Sequence, residues 1–261
     1  MKILFLGDIV GNPGREAIFK LLPGIKSEYK IDLTIANCEN AAGGAGITPS
    51  VAEELFKLGC NVLTAGDHIW DRREIIEILD KEKFILRPLN FPVGTPGNGW
   101  CIYELPLGTK IAVVSLLGRV FMKPLIECPF RAISNILPQL EKITPIIIID
   151  IHAEATSEKI AMAYFLEGRV SAVVGSHTHV QTADERILPQ GSAFITDLGM
   201  CGPMDSVIGQ KKEKIIERFL TGMPTRFEVA ASDIQLQGVV LDIDEKTGKA
   251  NSIERIQRKV E

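Results

Sequence analysis

The chain has 261 residues, of which 46% are hydrophobic, and its formal net charge at pH 7 is −4. This is enough apolar material for one α/β domain with insertions, and the scattered Lys and Arg side chains form no basic stripe that would favour a duplex nucleic acid as partner. The five cysteines form no C-x-x-C pair and no apolar stretch approaches the roughly 18 residues of a membrane span, so we expect a cytoplasmic protein without disulfides, a zinc finger or a membrane partner.

The first part of the chain alternates strand-like and helix-like segments, a rhythm typical of βαβ units. The predicted strands cover residues 2–6, 31–37 and 61–65, and the predicted helices cover residues 13–29, 49–58 and 72–79. The pairs Asn12-Pro13 and Thr48-Pro49 indicate two helix starts, because each places a capping side chain directly before a proline at the first helical position.

The second part repeats this rhythm after a predicted hairpin of residues 101–105 and 110–116, which indicates a second, partly antiparallel sheet. A helix over 129–142, a strand over 145–151, a helix over 157–167 and a strand over 171–175 follow. Residues 202–231 break the rhythm and are predicted to be a cap or interface insertion with one short helix near 213–220. A hairpin of residues 234–243 and 252–259 ends the chain. We expect residues 1–261 to form a single domain.

Polar side chains follow five of the predicted strands. All four histidines, His68, His152, His177 and His179, come just after an apolar run, and Asp8 and Glu39 follow two more such runs. Because parallel strands carry their functional groups at their carboxyl ends, these side chains are expected to converge on one site. Any single histidine could instead be an ordinary polar loop residue, but no histidine is left for the rest of the surface.

The mixture of imidazoles and carboxylates favours a dinuclear metal centre for phosphoester hydrolysis. Two cations about 3.5–4 Å apart need a bridging carboxylate, nitrogen and oxygen ligands, and open positions, and they acidify water to a hydroxide that can attack phosphorus. A His-x-His pair after a strand, here His177 and His179, can serve neighbouring metals, and no helical His-Glu-x-x-His is present. The donor types favour iron or manganese and leave zinc open.

Glycines crowd the predicted site, above all in the run Ala42-Gly-Gly-Ala-Gly46. Their backbone amides could approach an anion, or the glycines could form tight turns beneath the metals. The run matches neither G-x-G-x-x-G nor a P-loop, which argues against a dinucleotide or nucleoside-triphosphate fold.

Several short motifs resemble the calcineurin-like metallophosphoesterases and, within them, the bacterial YmdB-like branch. They span nearly the whole chain and comprise Gly7-Asp8-Ile-Val-Gly11, Ala36-Asn-Cys-Glu39-Asn40, Asp67-His68-Ile-Trp70-Asp71, His152, Gly175-Ser-His177-Thr-His179 and Thr196-Asp197-Leu-Gly199-Met200. The resemblance implies a four-layer α/β/β/α sandwich and a dinuclear phosphodiesterase that acts on 2′,3′-cyclic or 3′,5′-cyclic nucleotides. It also makes a homo-oligomer reasonable.

The resemblance also implies a role for each matching residue. The first metal would be held by Asp8, Asn40 and His179, the second by Asp67, His152 and His177, and Glu39 would bridge them. His68 would stay free near the leaving group, as an acid or charge stabiliser. The alternatives are a phosphomonoesterase or RNA-end nuclease with the same metals, and a regulatory module that binds metal without turnover.

Two positions depart from the superfamily pattern. The first motif is usually Asp-x-His, but here Val10 stands at the histidine position, so that Asn40 would complete the first metal's ligands, as the resemblance to the YmdB-like branch implies. Asp67 occupies a place where Asn is usual, which adds a negative charge beside the second metal.

Overall fold

Two β-sheets form the centre of the molecule in the computed structural model, which describes residues 1–261. Their strands are β1 (Lys2–Ile9), β2 (Leu33–Asn37), β3 (Val62–Thr64), β4 (Ile85–Leu86), β5 (Trp100–Glu104), β6 (Lys110–Leu117), β7 (Ile147–His152), β8 (Ala172–Ser176), β9 (Arg186–Ile187), β10 (Ala193–Ile195), β11 (Met200–Pro203), β12 (Ile234–Ile243) and β13 (Ala250–Lys259). The helices are α1 (Gly11–Tyr29), α2 (Pro49–Lys57), α3 (Ile76–Leu79), α4 (Pro129–Ile143), α5 (Thr156–Leu166) and α6 (Lys212–Thr221), with two 3-10 turns, Asp67–Trp70 and Arg73–Ile75.

The first sheet has seven strands in the order β13-β12-β11-β1-β2-β3-β4, and the second has six in the order β5-β6-β7-β8-β10-β9. In the first sheet β11, β1, β2, β3 and β4 run parallel, and in the second β6, β7, β8 and β10 do. Their registers align the ends of these strands, pairing Asp8 with Asn37 and His152 with Ser176. The carboxyl ends of both parallel blocks therefore carry the site.

Three apolar clusters separate the layers. Alternate residues of β1 face opposite ways, so Leu4 and Leu6 pack with α1 and α2, while Phe5 packs against the second sheet. On the far side of that sheet, Ile149 packs among residues of α4 and α5, such as Leu137. The resulting order of helix, sheet, sheet and helix confirms the predicted four-layer α/β/β/α sandwich.

Most elements follow the sequence predictions to within a few residues, including the short strand β3 and helix α6. The predicted helix start at Thr48 is present, since its hydroxyl accepts a hydrogen bond from the Val51 amide at 3.3 Å. The helix predicted over 72–79 was too long, because only a 3-10 turn and α3 form there. Strands β4, β9, β10 and β11 were not predicted.

The segment between β11 and β12, residues 204–233, is called the cap below. The predicted insertion began at residue 202, but Gly202 and Pro203 belong to β11, where they pair with Gln235 and Ile234 of β12. The cap contains α6 and a tight turn at Val207–Gln210, whose ends pair by backbone hydrogen bonds.

None of the helices combines the length and the apolar character required to cross a bilayer. All five cysteines are free thiols, and Cys128 alone is not fully buried.

Candidate metal centre

The structure brings all the predicted site residues together at the edge where the two sheets end. Asp8 is the next-to-last residue of β1, His152 is the last residue of β7, and the remaining residues follow the ends of β2, β3 and β8. Those remaining residues are Glu39, Asn40, Asp67, His68, His177 and His179. The site is thus built from strands of both sheets.

One group of side chains surrounds Asp8. The His179 Nε2 atom lies 3.7 Å from Asp8 Oδ1, and the Asn40 amide nitrogen lies 3.2 Å from the same imidazole nitrogen. The other carboxylate oxygen of Asp8 accepts the backbone N–H of His177 at 3.1 Å. Asp8 is therefore fixed on one side and offers one free oxygen on the other.

A second group surrounds His152. Glu39, Asp67, His152 and His177 each present one ligand atom, and these atoms all lie within 4.8 Å of one another. His152 Nε2 is 3.0 Å from Glu39 Oε1 and 3.0 Å from His177 Nδ1. Glu39 Oε1 also accepts a hydrogen bond from the Asn40 amide at 3.2 Å, so Glu39 touches both groups.

Two carboxylate oxygens of the cluster, Asp8 Oδ1 and Asp67 Oδ1, are buried without a hydrogen-bond partner. Leaving such an atom unpaired costs several kcal/mol unless a positive charge compensates it. Both oxygens face imidazole nitrogens that could bind a cation, and no thiolate stands among the donors. The donor set fits cations that accept oxygen and imidazole ligands.

The charges of the cluster stabilise one another. Burial would raise the pKa of Asp8, but His179 and His152 hold it well below its usual range. Burial likewise opposes ionisation of Asp67, yet the His152 imidazole lowers its pKa to about 2. Although burial disfavours its charged form, His152 has a pKa raised well above normal by Glu39 and Asp67. Cations that bind here would replace protons on the imidazoles, so metal uptake releases protons.

Two neighbours orient the imidazoles of the His-x-His pair. Both residues have left-handed backbones, with φ of 101° at His177 and 63° at His179. His177 Nε2 lies 2.9 Å from a Glu154 carboxylate oxygen, which leaves Nδ1 toward His152. His179 Nδ1 lies 2.9 Å from the Ile208 carbonyl of the cap, which leaves Nε2 toward Asp8. Such outer contacts fix the orientation of metal-binding imidazoles.

A buried ion pair holds the loop between these two histidines. Lys159 of α5 donates to Asp197 at 2.8 Å and to the Ser176 carbonyl at 2.6 Å, and both charged side chains are fully buried. Asp197 in turn accepts the Thr178 backbone N–H at 3.1 Å and its hydroxyl at 2.8 Å. The loop therefore meets the second sheet through a satisfied polar network.

His152 is anchored from below in the same way. Its Nδ1 lies 2.9 Å from the Ser176 hydroxyl, which donates to Asp150 at 2.7 Å. Asp150 also accepts from Thr64 at 2.5 Å and from the Asn37 amide at 3.3 Å. Since Thr64 and Asn37 end strands of the first sheet, this network joins the two sheets beneath the cluster.

His68 lies at the side of the cluster rather than inside it. Its Nδ1 is 2.8 Å from an Asp71 carboxylate oxygen, and its backbone N–H donates to Glu39 at 3.3 Å. Burial opposes the charged form, but Glu39 and Asp71 outweigh that effect and raise the pKa of His68. The side chain remains half-buried beside the cavity over the cluster.

The glycine run after Glu39 forms tight turns. Gly43, Gly44 and Gly46 have φ of 72°, 95° and 75°. The Arg72 guanidinium donates to the carbonyls of Ala42 and Ala45, at 2.9 and 3.2 Å, and so closes the turn from outside. A different glycine meets the cluster itself, because a Cβ at Gly66 would overlap the His152 ring.

Val10, at the position where the superfamily has histidine, supports the cap. It is fully buried, and a Cβ added at Gly209 of the cap turn would lie 2.7 Å from its Cγ1 atom. Ile208, the residue whose carbonyl meets His179, has φ of 46°, a conformation that a β-branched residue rarely adopts. Val10 therefore holds the turn that orients His179.

A cavity of about 480 Å³ lies over the cluster. Glu39, Asn40, His68, His177 and His179 line its floor, and the cap forms the opposite wall. A larger depression of about 700 Å³ at the other end of the strands includes Asp242 and Glu245. Those two carboxylates are already paired with Lys2 and the N-terminal ammonium, and no histidine or cysteine lines that depression.

The contacts missing from the sequence prediction include three that orient the imidazoles of His68, His177 and His179. Asp71 was part of a recognised motif, and its i, i+3 spacing from His68 in a short helical turn was a usable signal. Glu154, two residues after His152, carried a weaker signal. The Ile208 carbonyl carried none, because a backbone oxygen has no sequence identity.

Comparison with known proteins places this geometry among phosphoesterases. The family described as YmdB-like protein matches residues 4–256. A 2′,3′-cyclic-nucleotide 2′-phosphodiesterase of Bacillus subtilis (strain 168) is 50% identical over 256 residues, which cover 98% of this chain and 96% of that protein. A crystal structure titled a novel phosphatase from Mycoplasma pneumoniae has a TM-score of 0.94 and 37% identity over 99% of this chain and 93% of that one. A hypothetical protein from Thermus thermophilus has a TM-score of 0.92 and 39% identity over 99% of both chains.

Proposed function

The chain belongs to the YmdB-like family and is a hydrolase of phosphoric ester bonds, and we propose that it is a dinuclear metal-dependent phosphodiesterase that opens cyclic nucleotides. The substrates proposed are 2′,3′-cyclic monophosphates first, with 3′,5′-cyclic monophosphates also in range. The observation that carries this proposal is the pair of ligand groups joined by Glu39 at the ends of both sheets. The name of the B. subtilis relative supports the choice of substrate.

The proposed metal ligands follow the two groups. Asp8, Asn40 and His179 would hold the first cation, and Asp67, His152 and His177 the second. Glu39 would bridge them, since it lies 3.0 Å from His152 and 3.2 Å from Asn40. Oxygen donors together with imidazoles favour iron or manganese over zinc, without excluding zinc.

The bound cations would supply Lewis acidity and an acidified water. The protein's own groups would do the rest. The water oxygen would bond to phosphorus and release one proton to solvent, the bond from phosphorus to the 2′-oxygen would break, and protonated His68 would give its proton to that oxygen. The product is a nucleoside 3′-monophosphate. Asp71 holds the far nitrogen of His68, so the imidazole presents its other nitrogen to the substrate.

A phosphomonoesterase is the second candidate, because the similar M. pneumoniae structure is titled a phosphatase. The same ligand groups would serve either reaction, and the cavity walls would decide between them. An RNA-end nuclease would use the same groups. A regulatory module without turnover would have no use for the paired His68 and Asp71.

A hydrolysis panel on protein reconstituted with manganese or iron tests the proposal. The substrates are 2′,3′-cyclic AMP, 3′,5′-cyclic AMP, a linear dinucleotide and AMP, with metal-free protein as the control. We expect 2′,3′-cyclic AMP to have the highest kcat/KM and phosphorus NMR to show the 3′-monophosphate as the product. Dominant monoester hydrolysis would instead establish the phosphatase, and no hydrolysis at all would favour the regulatory module.

We propose further that residues 1–261 form a single metallophosphoesterase domain with the cap as its insertion, that the protein is cytoplasmic, and that it forms a homo-oligomer. Four buried free thiols fit a reducing compartment. On α6, Ile216, Phe219 and Leu220 point an apolar face to the surface, which fits contact with a second copy. Light scattering on the purified protein measures its mass and checks the oligomer.

A further inference from the structure

The wall of the cavity opposite the metal-binding groups has its own chemistry. The cap supplies Ile208, Gln210, Ile215 and Phe227 to it, so the wall combines aliphatic side chains, one amide and one aromatic ring. The cavity volume of about 480 Å³ lies within the range of small-molecule sites, and apolar walls with a few polar groups are typical of them. A phosphate at the metal-binding groups would leave the rest of its molecule facing this wall.

Gln210 presents an amide that makes no hydrogen bond within the protein. Its backbone is fixed by hydrogen bonds to Val207 and by a bridge to Val229, while the half-buried side chain faces the cavity. The Nε2 atom is held close to the glycine turn, since a Cβ at Gly44 would lie 3.0 Å from it. A free amide offers a donor and an acceptor side by side, the pattern that pairs with the edge of a heterocycle.

Phe227 presents a ring that is supported from outside the cavity. The Arg218 guanidinium carbon of α6 lies 5.0 Å from the ring centroid, and 38% of the residue remains exposed. Any of the nucleobases can stack on such a ring, because every base has a π face. The ring and the amide thus combine stacking with edge recognition on one wall.

We propose that this wall is a nucleobase subsite, in which the base stacks on Phe227 and Gln210 bonds its edge while the cyclic phosphate meets the metal-binding groups. The assignment rests on the proposed phosphodiesterase function. Since every base carries a donor beside an acceptor, Gln210 alone does not choose among bases. The area of the base that stacks on Phe227 makes the choice, so purine nucleotides should be preferred over pyrimidine nucleotides.

The test compares substrates with and without a base. Manganese-reconstituted protein is assayed with 2′,3′-cyclic AMP, 2′,3′-cyclic CMP and methyl ribofuranoside 2,3-cyclic phosphate, which has the same strained diester and no base. The variants are Phe227→Leu, which keeps apolar bulk without a ring, and Gln210→Met, which keeps length without hydrogen bonds. Phe19→Leu is the matched control, because Phe19 lies on α1, is 64% exposed and lies outside the cavity.

We expect the ratio of kcat/KM for 2′,3′-cyclic AMP to that for the base-free ester to fall by about 10-fold in Phe227→Leu, as on loss of one stacking contact. A smaller fall is expected for 2′,3′-cyclic CMP and for Gln210→Met, and none for Phe19→Leu. An unchanged ratio in both Phe227→Leu and Gln210→Met overturns the subsite. Equal losses on all three substrates also overturn it, because they would show an effect on the metal-binding groups.

Calorimetry separates this outcome from failure of the proposed function. If the wild-type protein opens none of the three cyclic esters, the phosphodiesterase proposal fails. Binding of adenosine 3′-monophosphate and of ribose 3-phosphate to wild type and Phe227→Leu still decides the subsite. A preference for the nucleotide that the variant loses supports it, and equal affinities reject it.

Discussion

The floor and the cap wall of the cavity are built in different ways. The floor rests on fully buried side chains at or next to strand ends, such as Asp8, Glu39 and His152, which are fixed by strand pairing within each of the two sheets. The cap wall comes from one insertion, in which Ile208 is 51% exposed and Phe227 38% exposed. The difference teaches that the metal-binding side chains depend on the packing of the core. The residues of the cap that face a substrate can change without disturbing the sheets.

The largest effect is expected on the floor, from Glu39→Ala. A carboxylate that touches both ligand groups would support both proposed cations, so its removal should release them and lower kcat by at least about 10³-fold, several kcal/mol of electrostatic stabilisation. Metal analysis after gel filtration, together with kcat, measures this. Glu53→Ala is the control, because Glu53 pairs with Lys57 on the exposed face of α2. A single firmly held ion, present equally in wild type and Glu39→Ala, would contradict the dinuclear centre.

The next effect concerns proton transfer without metal loss. His68→Ala should keep its metals and lose roughly 10²–10⁴-fold in rate, the usual contribution of an acid–base group. The loss should shrink for a nitrophenyl ester, because nitrophenolate leaves without protonation. Measuring kcat of wild type and His68→Ala with 2′,3′-cyclic AMP and with a nitrophenyl phosphodiester checks whether the loss differs between the two substrates. Equal losses on both substrates remove His68 from the acid role, and loss of metal makes it a ligand.

The same contrast explains how much the sequence could predict. Asp8, His152 and His177 were predictable because each directly ends or follows a long buried strand, so that local pattern decides where the side chain lies. The contact between the cap and His179 was not predictable, because Ile208 makes it through its backbone carbonyl and lies 29 residues away along the chain. Its turn depends on tertiary packing against Val10.

The sequence analysis missed strands β9 and β10 for a related reason. Strand β10 has three residues and β9 has two, too few for a hydrophobic period to appear. Strand β10 forms because it pairs with β8, with Phe194 opposite Val173, and β9 forms because it pairs with β10. Long-range pairing of this kind overrides local propensity.

A smaller effect should appear where the cap meets the floor. In Gly209→Ala the new methyl group would meet Val10 Cγ1 at 2.7 Å and push the turn away from His179. Loss of such an orienting contact typically weakens metal binding by about 10–100-fold. Gly222→Ala is the matched control, because Gly222 has a similar positive φ of 67° and its Cβ would meet nothing within 4 Å.

Chelator titration and Tm distinguish the two glycine variants. Both should unfold at lower temperature, since an L-residue pays about 1–2 kcal/mol in the left-handed conformation. Only Gly209→Ala should lose metal more readily. Identical chelator curves for the two variants would mean that the Ile208 carbonyl does not hold His179 in place.

The smallest effect is expected from Asp67→Asn, which replaces the carboxylate by a neutral amide of the same size. The Asp67 carboxylate should hold the second cation more tightly while neutralising part of its charge, which leaves the attacking water less acidic. The variant should therefore lose metal more readily and yet work at lower pH. The acidic midpoint of its pH–rate profile should move down by up to about one unit, worth roughly 1.4 kcal/mol.

The position of Asp67 makes both halves of this prediction testable. Its Oδ1 atom is buried without a hydrogen bond and lies 3.5 Å from His152 Nε2, so the carboxylate has one oxygen available for a cation. Chelator titrations and pH–rate curves of both proteins decide the matter. Superimposable results would mean that Asp67 only hydrogen-bonds its neighbours. Weaker metal binding with an unchanged pH–rate profile would keep Asp67 as a ligand but show that its charge does not set the acidity of the water. Control of that acidity would then lie with Glu39, the carboxylate that contacts both groups.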